Sequence, residues 1–377
     1  MQPTAAERPA VPAACAAADW ADRQDPDVQR AWDDLALRAS EPSPFQERWY
    51  LQPALEQLDP QGTVRLVRVD SGGTLIGLIP VRAEPRYYRR PIPHLASWVH
   101  GNCFLGLPLV AAGQEQPFWR AFLHWADRNA GRALFLHLST LPLEGPLWQA
   151  LQAVTAEQGR LAGLVYREER ALLASELSPA DYFEASLSGK KRKELRRQMN
   201  RLAELGELHF ERQRNAEGLE QWNEEFLALE HSGWKGTAGS ALASHHTSAD
   251  MFRAAMQGAA VLGKLERLTL RLDGAPIAML INFLTPPGSF SFKTAFDERY
   301  SRFSPGVLIQ RENLDLLADP AVEWCDSCAS ADHPMIDHIW RERRAIGHVS
   351  IAIGGRLRRA AFGALLRREL GGSPTGL

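Results

Sequence analysis

Several features are scarce in this 377-residue sequence, and each absence excludes a class of protein. The chain has four cysteines, too few for a disulfide scaffold of this length, which favours a reducing compartment. No apolar run is long enough to span a bilayer, so we expect no transmembrane segment. The formal net charge is -2, so the molecule as a whole is not a polyanion binder, and we expect no DNA partner.

Familiar catalytic signatures are also missing. The sequence contains no Walker or Rossmann glycine pattern, no G-x-S-x-G and no H-E-x-x-H. The N-terminus is rich in Ala and Pro, and Cys15 ends a short apolar run that invites a signal or lipoprotein interpretation. Glu7 and Pro12 interrupt that run, so residues 1–27 are predicted to be a disordered leader of a cytoplasmic protein.

The remaining sequence alternates between strand and helix patterns. Alternating runs flank Gly72-Gly73 and Asp273-Gly274, which predicts two β-hairpins. The run "FLGLPLV" at 104–110 predicts another strand. Helical and strand patterns recur in two halves of similar size, 28–165 and 166–377, so the fold class is mixed α/β with a duplication at the level of the fold.

An abrupt junction lies in the stretch from Ser291 to Leu314. Its strand-like beginning places Phe290, Phe292, Thr294 and Phe296 on one side. Ser304-Pro305-Gly306 then begins a helix, with Ser304 as N-cap and Gly306 leaving the helix mouth uncrowded. Such a mouth binds anions, phosphate above all, although by itself the pattern favours a well-capped helix without a ligand.

A helix with Lys190, Lys193, Arg197 and Arg201 on one face fits either a solvated surface, which is favoured, or contact with phosphates of a cofactor or an RNA. The C-terminal helix 356–370 is basic and amphipathic. It fits docking on a membrane or partner, but packing on its own domain is favoured.

Cys325 and Cys328 form a C-x-x-C pair that resembles a redox motif, or a zinc site with His333 and His338. The spacing fits neither well, and buried structural thiols are favoured, with no metal. Glu230, Trp234 and Lys235 stand at a helix end before a glycine-rich loop; a packed helix terminus and the border of a site are equally supported.

The second half resembles a known family in "LDGAPIAMLINF", "FKTAFDERYSRFSPGVLIQREN", the strand bearing Asp326, and "IWRERRAIGHVSIAI". The family is the acetyltransferase-like group noted beside bacterial cellulose-synthesis genes, a GNAT branch with two GNAT-like halves. The resemblance covers roughly 182–353. Fem peptidyltransferases, which use aminoacyl-tRNA, share the architecture.

The sequence departs from the family pattern at two points. S-P-G replaces the usual GNAT pyrophosphate loop, Q/R-x-x-G-x-G/A. Met335 and Ile336 stand where many relatives have a Lys after the strand acid.

The resemblance implies a tandem GNAT-like acyltransferase that moves an acyl group from acyl-CoA, acetyl-CoA first, to an amine or hydroxyl of a small molecule, saccharide or envelope precursor. A Fem-like transferase that uses tRNA and a non-catalytic GNAT scaffold are the alternatives, and the oligomeric state is left open. The resemblance implies that Asp297 is the catalytic base, with Glu230 and Asp326 as the next candidates for that role. It implies Tyr300 as the catalytic acid. The implied acyl-donor site comprises Lys293, Arg302, Ser304, Pro305, Gly306 and Val307, and the implied acceptor site comprises Trp234 and Lys235.

Overall fold

A computed structural model describes residues 15–19, 24–333, 335–372 and 376–377. The strands are β1 (Cys15–Asp19), β2 (Arg65–Ser71), β3 (Thr74–Glu84), β4 (His94–Ser97), β5 (Leu109–Val110), β6 (Phe135–Pro142), β7 (Ala162–Leu173), β8 (Leu208–Gln213), β9 (Leu265–Leu272), β10 (Ala275–Thr285), β11 (Gly288–Phe296), β12 (Trp324–Asp326) and β13 (Glu342–Ala352). The α-helices are α1 (Pro26–Leu37), α2 (Arg48–Leu58), α3 (Glu115–Asn129), α4 (Gly145–Glu157), α5 (Pro179–Ser186), α6 (Gly189–Ala203), α7 (Leu219–Ser232), α8 (Trp234–Thr237), α9 (His246–Val261), α10 (Pro305–Glu312) and α11 (Arg356–Leu370). Four 3₁₀ helices lie at Pro44–Gln46, Leu242–Ser244, Glu298–Phe303 and Asn313–Ala318.

The strands form one mixed sheet in the order β1-β2-β3-β4-β6-β13-β7-β12-β11-β10-β9-β8, with β5 paired to β3. Both predicted hairpins are present. Asp273 and Gly274 have φ angles of 49° and 79°, the left-handed pair that a tight two-residue hairpin turn requires. Two strand pairs are parallel, β4 with β6 in the first half and β11 with β12 in the second. The mixed α/β fold class is confirmed.

The helices cover the sheet with their apolar faces. In α3, Phe118, Phe122 and Trp125 are buried, as their spacing predicts. Helix α6 begins after Ser188, whose hydroxyl accepts from the N–H of Lys191, and it exposes its basic face.

The chain does not divide at residue 165 as predicted. Strand β7 runs across that boundary, and β13, from the far end of the sequence, lies between β6 and β7 and pairs antiparallel with both. Helix α11 buries Phe362 and Leu366 with Phe135 of the first half. The last described elements therefore complete the first half in space, and α11 packs on its own chain.

The predicted leader also needs a correction. Residues 1–14 and 20–23 lie outside the described residues. Cys15–Asp19 forms an edge strand whose residues pair with Val67 to Ser71 of β2, and α1 begins at Pro26. Cys15–Asp19 thus contributes an edge strand to the sheet.

Candidate active site

A β-bulge shapes β11. Along β10, Ile281 pairs with Lys293 and the next residue, Asn282, pairs with Ser291, so Phe292 is left as the extra residue. A bulge interrupts the strict alternation of side chains and bends the strand locally.

The bulge separates residues that the alternation places on one side. Phe290 and Phe292 pack in the main core, with ring centroids 5.7 and 6.4 Å from that of Phe45. Phe296 belongs to a different cluster, and the hydroxyl of Thr294 accepts from Gln310 of α10 at 3.1 Å. The expectation of a single face was therefore wrong beyond Phe292.

Strands β11 and β12 pair over three residues and then separate. The pairs are Gly288–Trp324, Ser289–Cys325 and Phe290–Asp326. Beyond Phe290, no described strand pairs with this side of β11. The opening holds a cavity of about 270 Å³. Its walls come from the loop 101–104 of the first half, the end of α7 with α8, β11 from Ser291 to Phe296, and the segment 327–336 after β12.

Three charged side chains meet in this cavity. Glu230, at the end of α7, lies 3.2 Å from the Nζ of Lys293 and 3.3 Å from the Nζ of Lys235, measured from Oε1. Its Oε2 accepts from the N–H of Leu242 at 2.8 Å. Glu230 and Lys293 are 3% and 8% exposed, so both depend on these partners.

The electrostatics of the three groups follow from burial and pairing. Burial lowers the pKa of Lys293, and Glu230 only partly opposes it. Burial alone would raise the pKa of Glu230, but Lys293, Lys235 and the Leu242 amide outweigh it, and that pKa lies below its ordinary value. Glu230 is therefore an ionised anchor for two ammonium groups.

The two predicted acceptor residues lie at the cavity. The Trp234 side chain is 60% exposed, and the backbone N–H of Trp234 donates to Oε1 of Glu298 at 2.7 Å. Lys235 reaches inward to Glu230. The loop after α7 thus places one aromatic ring and one ammonium at the cavity.

Asp326 is near the opening but is fully buried beneath it. Its Oδ2 lies 2.7 Å from Arg170 and 3.1 Å from Arg344, and its Oδ1 accepts from the N–H of Cys328 at 2.9 Å. Burial alone would raise its pKa, but the two guanidinium groups outweigh burial and the pKa is lowered. Asp326 does not line the cavity, and its contacts are those of a clamp between β7, β12 and β13.

Asp297 and Tyr300 also lie outside the cavity lining. Asp297 begins the 3₁₀ helix 298–303, and its carboxylate accepts from the backbone N–H and the guanidinium of Arg299. The hydrogen bonds from the Arg299 side chain hold its pKa below the ordinary value. Tyr300 packs beside a separate apolar cluster, with Arg299 6.0 Å from its ring centre. The structure does not bring either side chain to Glu230.

The helix mouth at 304–307 differs from the expected cap. Ser304 has left-handed backbone angles and no side-chain capping bond; its carbonyl accepts from Val307 and Leu308 at 2.9 and 3.0 Å. Pro305 and Gly306 are buried. A Cβ at Gly306 would lie 2.5 Å from the Sδ of Met335, so that side chain covers the mouth.

Arg302 is exposed beside this mouth. It lies with Arg197 and Arg201 of α6 around a surface groove, and its guanidinium covers the ring of Phe303 at 4.6 Å. The basic face of α6 is therefore continuous with the approach to α10.

The C-x-x-C pair is neither exposed nor arranged as a redox site. Cys325 is buried within β12 and Cys328 follows it, also buried. Burial raises the pKa of both thiols, which is typical of structural cysteines. Across the described ranges, no cluster of three metal-ligating side chains occurs.

The sequence pattern does not mark several residues as part of this cavity, and it offers His333 only as a zinc ligand. Asn102 and Phe104 come from the first half, about 190 residues before β11 in the sequence. Ser327 and His333 follow β12 in a segment without regular periodicity. Such residues meet only through the sheet order.

Comparisons with known proteins agree with this geometry. Residues 189–333, which include α6 to β12, match the Acetyltransferase (GNAT) domain family. The fold matches FemX with a TM-score of 0.55 at 10% identity, over 90% of this chain and 98% of FemX. It also matches the C-terminal domain (DUF2156) of a protein assigned as a lysylphosphatidylglycerol synthetase from Agrobacterium fabrum, with a TM-score of 0.52 at 15% identity, over 93% of this chain and 98% of that domain. No curated protein matches the chain.

The family match covers the strands that form the opening between β11 and β12. The matched residues include the bulged strand β11, the parallel strand β12 and the helix between them. The structural matches extend over both halves. Residues 189–333 therefore resemble a GNAT acetyltransferase domain, and the likeness to the two solved structures shows the fold of both halves.

Proposed function

We propose that the protein transfers an acyl group from acyl-CoA, acetyl-CoA first, to an amine or hydroxyl of a small molecule, a saccharide or an envelope precursor. The observation that carries this proposal is the opening between β11 and β12, with an unpaired strand edge on one side and Lys293 at the cavity. Acyl transfer needs a donor for the developing oxyanion, and backbone N–H groups or a fixed ammonium provide it.

Lys293 and Glu230 have distinct roles in this mechanism. The free edge of β11 after Phe290 offers backbone N–H groups to the acyl carbonyl. The ammonium of Lys293 stabilises negative charge on the carbonyl oxygen, and Glu230 holds that ammonium in place. Trp234 and Lys235 contact the acceptor at the cavity. Asp297, with its carboxylate held by Arg299, is not required in this arrangement.

The donor's pyrophosphate would bind at the mouth of α10. Gly306 leaves room there, and the cover is the flexible end of Met335 rather than backbone. Rotation of the Met335 thioether therefore uncovers the mouth without moving the helix. Arg302, exposed beside it, adds positive charge for the phosphates.

Aminoacyl transfer from tRNA is the second candidate. The folds of FemX and of the lysylphosphatidylglycerol synthetase domain favour it, as does the exposed basic face of α6. A third, non-catalytic scaffold function would leave the mouth of α10 permanently covered. The described helices include none with the length and apolarity of a membrane crossing. Cys103, Cys325 and Cys328 are buried and form no disulfide among the described residues, which supports our proposal of a cytoplasmic location.

Thermal-shift titration distinguishes these functions. Acetyl-CoA or a longer acyl-CoA at about 100 times its Kd should stabilise the protein by about 2.7 kcal/mol, a rise in Tm of a few degrees. Gly306→Val should lose this shift while keeping the native fold by circular dichroism. Stabilisation by charged tRNA alone would replace the proposed donor, and no shift with any of these ligands would favour the scaffold.

A further inference from the structure

One titratable ring in the cavity has no hydrogen-bond partner on a buried nitrogen. His333 lies on the wall that follows β12, and its Nδ1 is shielded from solvent and unpaired among the described residues. A buried polar atom without a partner is rare in folded proteins and calls for an explanation. Because Nδ1 is closed to solvent, a molecule in the cavity cannot reach it, and Nε2 is the ring nitrogen that an acceptor there can contact.

The carboxylates of the cavity are already occupied. Glu230 is bound by Lys293, Lys235 and a backbone amide, so protonating it would break two ion pairs. Glu298 accepts from the backbone N–H of Trp234 and so fixes the loop after α7. Glu230 is therefore unavailable as a proton acceptor, and proton uptake by Glu298 would weaken the bond that holds this loop.

The surroundings of His333 keep its ring neutral near pH 7. Burial lowers its pKa and Lys235 lowers it further, while Asp337 on the same segment opposes them. Across the cavity, Glu230 is itself paired with Lys293. A neutral imidazole with a pKa below about 6.5 is a proton acceptor over the physiological range.

We propose that His333 is the catalytic base, which takes the proton from the acceptor as it attacks the thioester. The proposal rests on the acyl-CoA function above. The acceptor nitrogen or oxygen forms a bond to the acyl carbon, and its proton moves to the imidazole. The carbon–sulfur bond then breaks, the thiolate leaves with the electron pair, and the imidazolium returns the proton to the sulfur. The products are the acylated acceptor and free CoA thiol, with no other reactant.

The test measures thiol release from acetyl-CoA with methylamine as probe acceptor between pH 5 and 9, and kcat/KM is calculated for the concentration of the neutral amine, because only that form has the lone pair that attacks. For the wild type, kcat/KM should fall on the acid side as His333 becomes protonated. His333→Gln should lower kcat/KM about 100-fold at pH 7.5 and remove that acid limb. Imidazole added to His333→Ala should restore part of the rate. His338→Gln, on the same segment but exposed, is the matched control and should keep the wild-type profile.

A second measurement does not depend on turnover. Bound acetyl-CoA should protect His333 from diethyl pyrocarbonate, as mapped by mass spectrometry. A wild-type pH profile in His333→Gln, equal modification with and without acetyl-CoA, or no thiol release by wild-type protein that binds acetyl-CoA would each overturn the role of His333. Failure of every CoA thioester to stabilise the protein would instead overturn the proposed donor.

Discussion

Each half contains a parallel strand pair, and in the described part of the chain protein fills the space beyond the first pair, whereas the space beyond the second holds a cavity. In the first half, β4 and β6 pair at Leu95–Leu136 and Ala96–His137. The space beyond is filled by the segment 102–107, where the N–H of Gly106 donates to the carbonyl of Thr140 at 3.0 Å. In the second half the corresponding space is the cavity. The same architecture thus occurs once with its strand opening filled by protein and once with that opening forming a cavity.

The filling segment also explains how the halves depend on each other. Its beginning, Gly101 to Phe104, lines the cavity of the second half. The chain that closes the first opening therefore provides a wall of the second.

The largest expected effect on stability comes from Asp326, the buried carboxylate that clamps β7, β12 and β13 beneath the cavity. Asp326→Asn leaves Arg170 buried without a counter-charge and Arg344 with only Glu144, 3.9 Å away, which should cost about 3–5 kcal/mol of unfolding free energy in urea. Asp127→Asn is the matched change in the first half, where Asp127 binds Arg160 and Arg359 but is 20% exposed, and it should cost less than half as much.

The stabilisation that Asp326 contributes should decrease as the pH falls. The pKa of Asp326 in the folded protein lies below its unfolded value of about 4. Its stabilisation is therefore complete above that value and is lost as the pH falls toward the folded pKa. The gap between wild type and Asp326→Asn should be constant from pH 5 to 8 and shrink below pH 4. A larger loss for Asp127→Asn would show that the second half needs no clamp of its own.

The next effect concerns chemistry rather than folding. Lys293→Met should lower kcat by about 10²–10³-fold, because it removes the buried ammonium that, in our proposal, stabilises the oxyanion. Lys264→Met is the control: Lys264 also pairs with a buried carboxylate, that of Glu47, but lies outside the cavity. It should change stability and leave kcat within about twofold. Equal loss of kcat in both variants would mean that Lys293 acts only through the fold.

Two glycines give the smallest and most direct comparison. A Cβ at Gly106 would lie 2.1 Å from the backbone oxygen of Ser139, so Gly106→Ala forces the backbone to shift and should cost about 2 kcal/mol. At Gly306 the obstacle is the flexible Met335, so Gly306→Ala should cost under about 1 kcal/mol while raising KM for the donor. A lower free energy of unfolding for Gly306→Ala than for Gly106→Ala would show that the packing around Gly106 is not the tighter of the two.

Local signals in the sequence predicted much of the fold. The turn at Asp273-Gly274 and the apolar stripe of α3 have short-range causes, and the structure has both. The run at 104–110 contributes only Leu109–Val110 to a strand, because the rest bonds to β6 to fill the first opening. Its apolar content predicted burial but not conformation.

The site was less predictable because its causes are remote in sequence. The bulge at Phe292 has no glycine or proline to mark it, yet it separates Phe292 from Thr294 and Phe296. In the sequence, Asp297 is a carboxylate without an obvious partner. In the structure, the guanidinium of Arg299, two residues away, donates to that carboxylate. Lys293 and Glu230, 63 positions apart, meet only after α7 packs on β11.

The position of β13 has a consequence for how the molecule is made. Residues 342–352 are synthesised after every strand that they join, yet they form the seam between β6 and β7. Until they leave the ribosome, those two strands present bare hydrogen-bonding edges at the centre of the protein. The nascent chain therefore cannot finish its first half before its second, and its assembly is a single event that waits for translation to reach β13.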